Sequence, residues 1–155
     1  MEKSKIKVII VSQDKFFWQE VSSLLKDFKN VEFYPKDEND FFDLKLLLFW
    51  SLKISTTKEL KGHSEKRIMH ILSENVENET LFIINNQLFT THHEITAYNF
   101  YQTYLIDNYN VPIIVTYNRK NERGLNEFKK IDDFGHKIVS RNGELAEKLN
   151  DLFNF

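Results

Sequence analysis

Four short apolar runs punctuate this chain, and each ends in a polar cluster. They are Val8–Val11 before Ser12-Gln13-Asp14, Leu81–Ile84 before Asn85-Asn86-Gln87, Val111–Val115 before Thr116-Tyr117-Asn118, and Lys137–Val139 before Ser140-Arg141-Asn142. Runs this short, nearly continuous and rich in β-branched residues predict strands buried on both faces, as in a parallel sheet covered by helices. A shorter run, Val31 to Pro35, predicts one more strand. Counted in chain order, the strands are Lys5–Ser12, Val31–Pro35, and those before Asn85, Thr116 and Ser140.

Helical periodicity fills the intervals. After Asp14, a capping residue, Phe17, Val21, Leu24, Leu25 and Phe28 fall on one stripe, and Asn30 closes the helix. Asp40 is the expected cap of a helix over 41–54 that is apolar nearly all round. Residues 56–63 are polar and read as a loop, with Ser64 capping a further helix that carries Ile68, Ile71 and Leu72. Thr91-His92-His93-Glu94 has capping-box spacing, predicting a helix to about Asn108 with Tyr98, Tyr101, Leu105 and Tyr109 on one face. A weaker pattern, Leu125, Phe128 and Ile131, predicts a helix over 121–133. Asn142 precedes a final stripe of Leu145, Ala146, Leu149, Leu152 and Phe153.

Strand and helix alternate five times, with one extra helix between the second and third strands. The expected fold is a single α/β domain over residues 1–155, a three-layer sandwich around a five-stranded parallel sheet of order 2-1-3-4-5. With 155 residues, 41% hydrophobic and 28% charged, the chain suits one soluble domain with a real core. Its 21 basic and 23 acidic residues leave a net charge of -2, so no overall field draws nucleic acid or an anionic membrane. Absence of Cys excludes disulfides and thiolate metal sites. No signal-peptide pattern and no membrane-length apolar stretch occur, and the expected location is the cytoplasm.

The stretches Lys7–Asp14 with its helix, Asn108–Asn118 and Gly135–Leu152 resemble the receiver domain of bacterial response regulators. In that family an acidic pair after strand one holds Mg²⁺, an Asp after strand three accepts a phosphoryl group, and a hydroxyl and a Lys after strands four and five complete the switch. The matching positions here hold Ser12 and Gln13, Asn85, Thr116 and Arg141. Hard Mg²⁺ needs carboxylate oxygens, and an amide is a poor nucleophile. The resemblance therefore implies a pseudo-receiver that cannot be phosphorylated on Asp. The chain departs from the pattern in carrying about 45 residues between strands two and three.

The remaining chemistry is sparse. His63, His70, His92, His93 and His136 include no HExxH pair and no convergent trio, so no metal is expected. Arg119, Lys120, Arg123, Lys129 and Lys130 are interleaved with Glu122, Glu127, Asp132 and Asp133, which reads as a solvated face. With 4 Gly there is no Gly-rich phosphate loop, and no cofactor is expected. Two functional readings follow. In the leading one, a non-catalytic domain binds a protein partner or a second copy of itself through Phe42, Leu46, Phe49 and Trp50 of the 41–54 helix, if the chain's own extra helix leaves them uncovered. In the alternative, the carboxyl ends of the strands bind a small ligand or nucleotide, with or without catalysis, through Asn85, Gln87, Thr116, Asn118 and Arg141.

Overall fold

A computed structural model describes residues 5–52, 57–77, 79–85, 87–89, 95–117, 137–141 and 144–153. Strands β1 (Ile6–Val11), β2 (Val31–Tyr34), β3 (Thr80–Asn85) and β6 (Ile113–Tyr117) form a parallel sheet, and β7 (Lys137–Arg141) pairs in parallel with β6, giving the order β2-β1-β3-β6-β7. A separate antiparallel pair, β4 (Gln87–Phe89) and β5 (Ile95–Thr96), interrupts the chain after β3.

Alternation along the strands sorts the core into two layers. Val8, Ile10, Leu81, Ile83 and Ile114 face helices α1 (Lys15–Leu25) and α5 (Leu145–Phe153), meeting Phe17, Trp18, Val21, Leu25, Leu145 and Leu149. Ile9, Val11, Phe82, Ile84, Ile113 and Val115 face α2 (Glu38–Leu52), α3 (Lys58–Asn75), the short α4 (Ala97–Phe100) and the π-helical turn Tyr101–Leu105. Asp14 caps α1, its Oδ1 accepting from the Phe16 and Phe17 amides at 2.9 and 3.4 Å.

Several helix starts differ from the expectation. Asp37, not Asp40, caps α2: its Oδ1 accepts from the Asp40 amide at 2.8 Å, so the helix begins at Glu38. The expected 56–63 loop gives way to α3 from Lys58 onward, with Thr57 as its cap. Ser64 lies in the second turn of α3, buried, and its hydroxyl donates to the Leu60 carbonyl at 2.8 Å. The helix expected from Thr91 begins only at Ala97, because β5 occupies residues 95 and 96. Strand β6 begins at Ile113 rather than Val111. The 91–94 capping box, the 121–133 helix and the Asn142 cap lie outside the described residues.

The π turn closes the stretch from Ala97 without shifting its inward face. Its Ile106 amide donates to the Tyr101 carbonyl at 2.9 Å, the i→i+5 bond of that geometry. Ala97, Phe100, Tyr101, Tyr104 and Leu105, at i, i+3, i+4, i+7 and i+8, are all buried, whereas Tyr98 and Tyr109 are only partly covered. Phe100 bridges Phe82 of the sheet and Tyr104, with ring centroids 6.4 and 5.1 Å apart.

Candidate functional site

Helix α2 is held in one rotation by three contacts. At its start, Phe41 stacks on Trp18 with ring centroids 5.2 Å apart and planes 21° off parallel. In its middle, the Gln13 side-chain amide donates to the Lys45 carbonyl at 3.0 Å. Near its end, the Ser51 hydroxyl hydrogen-bonds the Tyr104 phenol in the buried layer. Burial lifts the Tyr104 phenol well above the ordinary tyrosine range, opposed by the Ser51 hydrogen bond and reinforced by the charge of Glu65.

With 100° per residue, the buried side chains Phe41, Leu44, Leu47, Leu48 and Ser51 occupy one arc of α2. Phe42, Leu46, Phe49 and Trp50 fall on the opposite arc, at i, i+4, i+7 and i+8. Phe42 is 44% exposed and Leu46 49%, while Phe49 and Trp50 are half-buried. The all-round apolar composition thus divides into two stripes, one packed on the sheet and α3 and one turned outward. Asp43 and Lys45 flank the outward stripe, and Asp43 faces Arg67 of α3 at 3.9 Å. At its upper end Lys15 Nζ sits 5.6 Å from the Phe42 ring centroid and 3.1 Å from Glu38 Oε1.

All four interface candidates of the sequence lie on this helix, and Phe16, at the start of α1, is not among them. At 79% exposure it is the most exposed large apolar side chain among the described residues. Its signal was present: it falls outside the stripe begun by Phe17.

At the carboxyl edge of the sheet, the residues after β1 are occupied structurally. Ser12 is buried and its hydroxyl accepts from the Asp14 amide at 3.0 Å. Gln13 holds α2 and Asp14 caps α1. Register brings Asn85 level with Thr116, and the backbone of Arg141 level with Tyr117 one residue further along. Thr116 is fully buried, and its hydroxyl has no hydrogen-bond partner among the described residues. Gln87 belongs to β4, paired with Thr96, rather than to the loop at the end of β3. Asn118 lies outside the described residues.

No family model, characterised protein or solved structure matches this chain. Among the described residues no group of three or more His, Cys, Asp or Glu side chains is placed to hold a metal ion. No described helix is long and apolar enough to cross a membrane. The two candidate sites differ in kind. The α2 stripe offers a continuous apolar surface on a helix locked from beneath, and the strand ends offer hydroxyls and amides with little charge.

Proposed function

We propose that this chain is a receiver-like α/β domain that takes no phosphoryl group on Asp and works by protein–protein contact, without catalysis of its own. The observation that carries the reading is the outward stripe of α2: Phe42 and Leu46 stay exposed on a helix whose opposite arc is packed and whose rotation is fixed at three points. The partner surface is apolar, on a second copy of this chain or on another protein. Phe42 and Leu46 are already about half covered, so burying the remainder would contribute about 0.7–1.5 kcal/mol each. Beside it, Ser12, Gln13 and Asn85 stand where a phosphorylated receiver needs carboxylates, so the regulatory signal comes from what covers α2.

Leu46→Glu is the test, with Phe42→Glu as its pair. Both positions are about half exposed, so the folded state is retained; melting temperature is expected to stay close to wild type for Leu46→Glu and to fall by a few degrees for Phe42→Glu, which loses the edge contact with Phe41 and the Lys15 contact. Self-association in sedimentation velocity, or capture of a partner in a pull-down, is expected to fall by tenfold or more. A wild-type protein that stays monomeric at high concentration, and whose captured proteins are the same with Leu46→Glu, would sink the reading.

A second reading rests on the buried hydroxyl of Thr116, which has no partner among the described residues and lies beneath the carboxyl edge. There Asn85, Thr116 and Arg141 would hold a small neutral or singly anionic ligand. A thermal-shift screen with nucleotides and phosphorylated metabolites addresses it. A rise of several degrees that Arg141→Ala removes would favour this reading over the first.

A further inference from the structure

We draw no further inference here: the strongest candidate, the cleft between the edge strand β2, the first turns of α2 and the second half of α3, sets Lys7, Lys36 and Arg67 against Asp40, Asp43 and Glu74, a balance of charge that selects no class of ligand.

Discussion

Trp18→Ala is expected to destabilise the fold by about 3–5 kcal/mol, lowering the melting temperature by roughly 10 °C. Trp18 is 6% exposed and joins three elements that local sequence does not connect. It belongs to α1, its indole N–H donates to the Pro35 carbonyl at 2.9 Å beyond the end of β2, and its ring stacks on Phe41 at the start of α2. Truncation opens a cavity between these elements and removes the indole donor from the Pro35 carbonyl. Trp18→Phe separates the two contributions. It keeps most of the ring contact with Phe41 and removes only the N–H, so a smaller loss of about 1–2 kcal/mol is expected. Urea denaturation followed by circular dichroism measures both. A loss below about 1 kcal/mol for Trp18→Ala would mean that α2 is not anchored through this contact. The consequence reaches function, because Phe41 fixes the rotation that turns Phe42 outward. Trp18→Ala is therefore expected to weaken association through α2 even though Trp18 lies outside the exposed stripe.

What the chain disclosed in advance follows from how each element announces itself. Val8–Val11, Leu81–Ile84 and Ile113–Val115 are buried on both faces, so their apolar runs are uninterrupted and mark the parallel sheet without reference to partners. The start of α3 was hidden for the opposite reason. Residues 57–60 are exposed and carry no apolar period, and the first inward position is Ser64, whose polarity looks like a cap. The hydroxyl is satisfied within the helix by the Leu60 carbonyl, which lets a polar residue take a core position. The hairpin of β4 and β5 was missed because three-residue and two-residue strands carry too little alternation to register, although Leu88 is 1% exposed. Before the π turn, aromatic residues lie on both faces, so the stripe through Tyr98, Tyr101, Leu105 and Tyr109 competed with the buried one, Ala97, Phe100, Tyr101, Tyr104 and Leu105.

The candidate sites show the same division. The outward stripe of α2 was legible as an excess of apolar residues over what one packed arc needs, but which arc was covered depended on Trp18, Gln13 and Tyr104, all distant in sequence.

Stability is expected to be flat between about pH 8 and 9.5 and to fall steeply above pH 10, with the buried tyrosines as the cause. Burial lifts the Tyr101 phenol to about 12, with the charges of Tyr98 and Asp107 adding to it, and lifts Tyr34 and Tyr104 further. A neutral acid whose folded pKa is raised binds its proton more tightly in the folded state. Its contribution is fully present below the unfolded value near 10 and is lost as pH rises through the folded value. Each such tyrosine gives a slope of roughly 1.4 kcal/mol per pH unit in that window, so Tyr101 alone accounts for about 2–3 kcal/mol between pH 10 and 12. Urea melts at pH 8, 10 and 11 would show the slope, and the double variant Tyr101→Phe/Tyr104→Phe is expected to reduce it by about two tyrosines' worth. At neutral pH, Tyr104→Phe alone is expected to cost about 1–2 kcal/mol, because the buried Ser51 hydroxyl loses its partner. An unchanged alkaline slope in the double variant would show that these phenols are not what titrates. If they are, ionising Tyr104 places a negative charge in the apolar layer beneath the last turn of α2. Because the folded state holds this proton more tightly than that of Tyr101, the charge is reached only as the fold is lost, and association through Leu46 is expected to fail together with the fold rather than before it.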